Sequence, residues 1–402
     1  MIGYHTLGSV PAKHHIAHRR PEPDADGCPV YYEHCVTRGG FDGAFSILYR
    51  EHNPGAEVEH RLREGLDVFE PVDDFGGHFH RHHYPSGDVA GQGHLYESLR
   101  WLLGNSDVRT GASKPTVADT GLVQNGDGDL MLFIQEGSGR VESEMGTVSF
   151  RQWDYVWIPK GVIHRVIFQG PAYVMVNESP ASFQVPSNFM NPVGQLTMEA
   201  PYTHRDFRRP TELSPAGDAP ATVLHKRGDT WTERILPHHP FDVVGWDGHV
   251  YPVAFNALDY EPKVGKTHLP PPIHTTFLGG GGSFVLCTFA PRLTDFHEDA
   301  IPCPYPHSSV DCDEILWYVD GDFTSRKGVG AGSISHHPMG IPHAPQPGKY
   351  EASIGTKSTT ELAVMIDTYK PLSPTKHALA CEDPRYHPSW NQKGSSTGTY
   401  VD

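Results

Sequence analysis

Nothing in the 402-residue chain approaches the roughly 20 consecutive apolar residues that a membrane-spanning helix requires. The N-terminal stretch MIGYHTLGSVPAKHHIAHRR lacks an apolar core, so no secretory signal is expected. Cysteine is sparse. Cys28, Cys35, Cys287, Cys303, Cys312 and Cys381 form no CxxC pair, and a chain of this size needs no disulfide framework. Reduced thiols in a cytoplasmic protein are therefore expected. Positive charge is also short, with 32 Lys and Arg against 48 Asp and Glu and a net charge of -16. That balance argues against a nucleic-acid or anionic-membrane partner. Helical periodicity is scarcer still. Only residues 93–105, GHLYESLRWLLGN, set Leu95, Leu99, Leu102 and Leu103 at helix-like spacing, and a helix is expected there.

What the chain has in excess is turn residues and histidine. Its 42 glycines and 36 prolines exceed the roughly 12% share those residues usually take, which fits short strands joined by tight turns. Residues 129–168 read as four or five strands broken at EGSG, EMG, QWD and PKG. Residues 251–370 repeat the style in SFVLCTFAP, DEILWYVDGDFTSR, AGSISHHPMG and ELAVMIDTY. Both blocks suggest antiparallel sheets closed as sandwiches or barrels, in an all-β dominated chain with few short helices. The expected division is an N-terminal β domain at 1–245, with a barrel at about 116–190 and a polar, proline-rich connection at 191–222. A second domain at 246–402 then ends in a polar, extended arm from 382 onward.

The chemistry gathers in PYPHSSVDCDEILWYVDG, residues 304–321, and GSISHHPMGIPH, residues 332–343. His307 precedes Glu314 by seven positions, and the strand-like EILWYV follows. Pro338, Gly340 and His343 then form P-x-G-x-x-H. Two neighbouring antiparallel strands, each entered from a turn, can aim His307, Glu314 and His343 at one point. Two imidazoles and one carboxylate on one face of a metal are the ligand set of non-haem Fe(II) oxygenases. Taken singly, each of the three reads as a loop, strand-edge or turn residue. The spacing of the trio resembles the two signature motifs of the cupin β-barrel, with Ser309 where the first motif has its second histidine, and that favours a metal. Asp311 and Asp313 read as solvated loop acids, and Cys312 as a small buried hydrophobe.

The first β block offers a contrast. Residues 153–168, WDYVWIPKGVIHRVIF, carry P-x-G-x-x-H ending at His164, but the upstream strand has no histidine, so this block is expected to be a metal-free barrel. The stretch GGHFHRHHYPSGD holds His78, His80, His82 and His83 with no carboxylate at ligand spacing. It reads as a histidine-rich loop or subunit-contact segment, and His14 and His15 read likewise.

With these residues in hand, the chain resembles the homogentisate 1,2-dioxygenase family from about residue 4 to about residue 370. The resemblance rests on YHTLGSVPAKHH, GGFDGAFSILYREHNP, NGDGDLMLFIQEG and VVGWDGHVYPVAFN. It implies a bicupin of two jelly-roll barrels and an extradiol-type, Fe(2+)-dependent ring-cleaving dioxygenase of aromatic amino-acid catabolism. Homogentisate and O2 would give maleylacetoacetate, and the assembly would be a trimer or hexamer. It implies His307, Glu314 and His343 as iron ligands and His268 as the histidine that handles the substrate hydroxyl proton. Tyr305 and His337 would face the substrate, as would His343 from its ligand position. His274 and His336 lie close by and could exchange roles with His268 and His337. The second ring nitrogens of the ligand histidines would be tied to a carboxylate or a carbonyl, with Asp311 and Glu351 as candidates. The chain departs from the family in two places. Six residues rather than five separate the first histidine from the glutamate, and Ser308 stands where the family has an arginine that could meet the substrate's acetate. A related dioxygenase acting on gentisate or another hydroquinone, and a non-enzymatic bicupin that binds a small ligand, therefore stay open.

Overall fold

The structure is a computed structural model, and it describes residues 2–72, 79–89, 91–266 and 271–391. Its architecture is all-β dominated, with three short α-helices among the described residues, Leu95–Ser98, Lys349–Ala352 and Lys376–Ala380. No described helix is long and apolar enough to cross a membrane. Three large sheets are stacked. An outer sheet of seven strands includes Gly139–Ser143, Ile163–Phe168 and Ala221–Arg227. A middle sheet of eight is built around Asp129–Glu136, Asp154–Ile158 and Tyr173–Ser179. The third sheet, of seven strands, runs in the order Phe183–Gln184, Thr275–Gly279, Phe284–Phe289, Leu362–Thr368, Asp313–Asp320, Ile334–His337, His82–Tyr84.

The apolar run LMLFI explains the stacking. A strand turns successive side chains to opposite faces, so a strand rich in apolar residues throughout must be covered on both sides. Leu130, Leu132 and Ile134 pack into the core shared with the outer sheet. Met131 and Phe133 pack into the larger core shared with the third sheet. The Asp313–Asp320 strand uses the same alternation for another purpose. Ile315, Trp317 and Val319 enter the large core, whereas Leu316 and Tyr318 sit with Cys287 and Met365 on the opposite face. That opposite face carries Glu314. The Trp317 indole donates from Nε1 to Gln135 Oε1 at 2.8 Å, pinning the third sheet to the middle one.

Three sequence expectations change here. The helix over 93–105 is reduced to Leu95–Ser98, and Arg100–Gly104 is a strand. Leu99 and Trp101 feed one core and Leu102 and Leu103 the other. A bulge between Trp101 and Leu103 makes this double duty possible. Four leucines read as one helix face therefore serve two sheets. The expected boundary at 245/246 cuts through the strand Val243–Gly248, which pairs with both His5–Gly8 and Phe45–Arg50. The next strand, Val253–Asn256, pairs with Asp154–Ile158 in the middle sheet. Conversely, His82–Tyr84 adds an edge strand to the third sheet. Finally, residues 382–391 are a docked segment rather than an extended arm: Tyr386 is wholly buried and stacks edge-on against Trp390 at 5.1 Å.

Truncating Trp317 to Ala should remove a wholly buried indole between the two sheets and leave Gln135 Oε1 without its donor, while Gln135 Nε2 keeps Val319 O. A loss of about 3–5 kcal/mol is expected, read as a lowered urea midpoint at unchanged m-value. A loss below about 1 kcal/mol would show that the sheets are not held together here.

Candidate metal centre and substrate cavity

His307, Glu314 and His343 come together on the free face of the third sheet, with one donor atom from each inside a cluster no wider than 4.8 Å. The fold brings the first and last of these together through backbone. His307 N donates to His343 O and His343 N to His307 O, both at 2.9 Å, so the two turns form an isolated antiparallel bridge. Glu314 lies at the start of the strand beneath them. Its Oε2 is 4.0 Å from His307 Nε2, and its Oε1 is 3.5 Å from His343 Nε2.

Each imidazole is held in one tautomer. His307 Nδ1 meets Tyr305 O at 3.1 Å, and His343 Nδ1 meets Ile341 O at 3.4 Å. A carbonyl can only accept, so both Nδ1 atoms carry the proton and both Nε2 atoms present lone pairs to the cluster. The partners are thus backbone carbonyls two residues upstream, in place of the expected Asp311 and Glu351. His343 Nε2 is buried with no hydrogen-bond partner among the described residues. A buried lone pair facing a carboxylate is what a cation would satisfy, and the donor set suits a divalent transition metal. These residues fit the group that the sequence implies.

Burial alone would push the Glu314 carboxyl up, but positive charge at His343, a proton on its Nε2 where no cation is bound, and the hydrogen bond from His337 hold it well below the usual range. His337 stands behind this carboxylate instead of in the cavity wall. Its Nδ1 donates to Glu314 Oε1 at 2.7 Å, and its Nε2 accepts from the Tyr386 hydroxyl at 3.1 Å. Burial keeps that imidazole neutral. His343 likewise turns its Nε2 toward Glu314. His336 points elsewhere, donating from Nε2 to Asp313 Oδ2 at 3.0 Å; Asp313 in turn accepts from the backbone of Met339 and Leu372. Asp313 is therefore a buried structural carboxylate and not a solvated loop acid. His268 lies outside the described residues.

Two members of the cluster open onto a cavity of about 230 Å3. His307 and Glu314 are in its wall, with Tyr305 half exposed at the same end. Phe289, Leu293, Leu316, Met365 and Pro271 supply apolar surface. Sequence reading missed the charged residues of the wall, among them Arg292, Arg326 and Glu361, with Lys263 and Asp295 beside them in the lining. Arg326 is buried with an unpartnered Nε, while its Nη1 donates to Ala344 O at 3.1 Å. His274 lines the cavity too. Burial and then Arg292 lower its pKa to about 3, and its Nδ1 has no partner among the described residues.

The first sandwich contains the same turn with a different ending. Pro159, Gly161 and His164 parallel Pro338, Gly340 and His343, and both glycines adopt positive φ, 83° and 78°. His164 Nδ1 donates to Val162 O at 2.9 Å, again two residues upstream. Its Nε2, however, accepts from the Tyr96 hydroxyl at 2.6 Å. A tyrosine proton sits where a cation would, and the site is closed.

The model of the homogentisate 1,2-dioxygenase N-terminal region matches residues 113–257. A protein of Saccharolobus solfataricus named "Putative dioxygenase" is 32% identical over 394 residues, covering 97% of this chain and 99% of that one. The chain belongs to the homogentisate 1,2-dioxygenase family. It stands in a divergent branch, since homogentisate 1,2-dioxygenase of Rhodopseudomonas palustris is 29% identical over 269 residues. That match covers 63% of this chain and 58% of the relative, so the chain spans little more than half the length of that enzyme. Among solved structures, an oxalate decarboxylase of Bacillus subtilis aligns over 73% of this chain and 79% of its own, at 12% identity and a TM-score of 0.34.

Asp367 gives a pH prediction. It faces Glu314 across the strand pair, and its Oδ1 is buried without a hydrogen-bond partner among the described residues. Burial, and then the Glu314 charge, push its pKa up to about 8. An unfolded aspartate titrates near about 3.9. Between these values the native chain holds a proton that the unfolded chain releases, so this group's contribution falls as pH rises from about 4 toward 8. In metal-free protein, Asp367→Asn should remove that contribution and raise stability at pH 8 relative to pH 5, read as the difference in urea midpoints. A variant whose pH profile parallels the wild type would refute the assignment.

Proposed function

We propose that the protein is an Fe(II)-dependent dioxygenase that opens the ring of an acidic hydroquinone, with homogentisate as the first substrate to test. The observation that carries this reading is the His307, Glu314 and His343 donor set, with both Nε2 lone pairs pre-aimed, at the end of an aromatic-sized cavity. Bound there, the metal would supply a Lewis-acid and redox centre for O2 chemistry, with positions left open for substrate and oxygen. Fe(2+) as the cofactor, a small aromatic and O2 as the reactants, and a homo-oligomeric assembly all belong to this proposal.

The chain's own residues then take five roles. His337, donating to Glu314 Oε1, fixes which carboxylate oxygen is offered to the metal. Phe289, Leu293 and Pro271 give a flat aromatic ring apolar surface and exclude water. The two arginines supply the charge match. With Ser308 in place of the family's arginine, Arg292 and Arg326 are the guanidinium groups of the cavity wall, and we assign the substrate carboxylate to them. A general base works best with a pKa near the working pH. His274, depressed to about 3, is poorly suited to take the hydroxyl proton. We therefore assign that step to His268 and leave His274 as a neutral hydrogen-bonding partner. Tyr305 would close the open end of the cavity over the ring.

Three measurements test this. Anaerobic loading with Fe(II), followed by O2 uptake with homogentisate, gentisate and plain hydroquinone, should show ring cleavage with an acidic substrate. Glu314→Ala should lose the iron at this centre and at least 10³-fold in turnover, an amount of the order removed with an essential catalytic group. Full turnover in that variant would end the proposal. Arg292→Gln should raise KM for the acidic substrate about 10-fold or more while kcat changes little, as expected for loss of uniform binding. An unchanged KM would place the carboxylate elsewhere.

A further inference from the structure

A second group of metal-type donors lies outside the cavity. His80 Nε2 and His82 Nδ1 both meet Glu382 Oε1, at 3.0 and 2.7 Å. His82 is 2% exposed, and His80 and Glu382 are largely covered. We propose that His80, His82 and Glu382 bind a zinc-type divalent cation and thereby fasten the C-terminal segment to the histidine-rich edge strand.

The argument is one of converging donors. Two imidazoles and one carboxylate present one atom each within 4.8 Å of one another, the same composition as the His307 cluster. A third such group, Asp127, Glu178 and Asp229, provides the contrast. There Lys226 Nζ sits 2.8 Å from Glu178, 3.3 Å from Asp229 and 3.5 Å from Asp127, so a cation is already built in. At Glu382 the neighbouring cationic side chains are directed to other groups. Arg81 donates to Pro342 O at 2.6 and 3.1 Å, and Arg385 pairs with Asp383. The carboxylate is met by two histidines, whose nitrogens can exchange a proton for a metal.

Distances and ligand type set the class of cation. Zinc holds imidazole nitrogen and carboxylate oxygen at about 2.0–2.2 Å, which puts tetrahedral ligand atoms roughly 3.3 Å apart. The cluster need open by only a few tenths of an ångström. A set of two imidazoles and one carboxylate favours Zn2+, Co2+ or Ni2+ over the oxygen-seeking Ca2+ and Mg2+. The fourth position is open to water or to His387, whose ring lies 5.1 Å from that of His80 and whose Nδ1 accepts from Arg81 N. The buried His336 ring stacks on His82 at 5.4 Å and closes the inner side.

The site has a structural consequence. Glu382 is four residues before Tyr386, whose hydroxyl supports His337 and through it Glu314. A metal at Glu382 would thus hold in place the segment that backs the cavity's carboxylate.

The test counts metal on full-length protein stripped with a chelator and titrated with Co2+, read by elemental analysis and by the visible absorption of the bound ion. Wild type should take two equivalents, Glu314→Ala one, and a His80→Asn, Glu382→Gln double variant also one. The double variant alters partly exposed side chains and spares buried His82. In the Glu314→Ala background, Zn2+ should raise the melting midpoint, and adding the two substitutions should abolish that shift. If the double variant in the wild-type background still takes up as many equivalents as wild type, the proposal is overturned. Because the double variant leaves His307, Glu314 and His343 intact, failure here and failure of the iron assignment give different counts.

Discussion

A buried carboxylate that must stay ionised governs the whole C-terminal half of this molecule. Glu314 sits on a strand whose inward residues weld two sheets together, so it cannot retreat to solvent without breaking that weld. Its charge is tolerable only if imidazoles surround it. Two of those imidazoles are fixed by carbonyls so that their Nε2 atoms face the carboxylate, with room between them for a proton or a cation. The third, His337, brings a proton and completes one side permanently. The raised pKa of Asp367 follows from the same constraint, since a second charge beside Glu314 has nothing to balance it.

Much of the candidate site was legible in the sequence because its determinants are local. His307 and Glu314 lie seven residues apart at a strand entrance, and P-x-G-x-x-H fixes the second turn through a glycine at positive φ. The alternation of EILWYV announces which side faces the core. The second sandwich was expected from the same short strands and turn residues. What escaped was non-local. Glu382 is separated from His82 by 300 positions, so a histidine-rich stretch seemed to have no carboxylate. The role of Tyr386 was hidden in a polar tail, although Tyr386 and Trp390 were aromatic anchors that could have argued for docking. The leucines of residues 95–103 misled for another reason: spacing shows that residues are apolar, not how many cores they serve.

Domain division was obscured by strand exchange. The chain does not finish one sandwich before starting the next. His82–Tyr84, early in sequence, edges the third sheet, and Ser373–Pro374, late in sequence, pairs with Arg100–Gly104 in the middle sheet. With the middle sheet shared by two cores, neither sandwich has an apolar face of its own to spare. Sequence boundaries drawn from composition assume separable cores, and here the cores share a wall.

The two sandwiches also show how small a change separates a candidate metal centre from a structural residue. Both offer a histidine from the same proline-glycine turn, with the same carbonyl holding the same ring nitrogen. In the first, a tyrosine hydroxyl reaches the remaining nitrogen, and the upstream strand supplies no second imidazole or carboxylate to form a cluster. A neutral hydrogen bond inside an apolar core is self-sufficient. In the second, His307 and Glu314 deny the nitrogen a proton donor and surround it with acceptors. A buried carboxylate facing two imidazole nitrogens calls for positive charge between them, which a proton or a cation would supply. The turn therefore positions the nitrogen, while its neighbours decide whether a proton or a metal satisfies it.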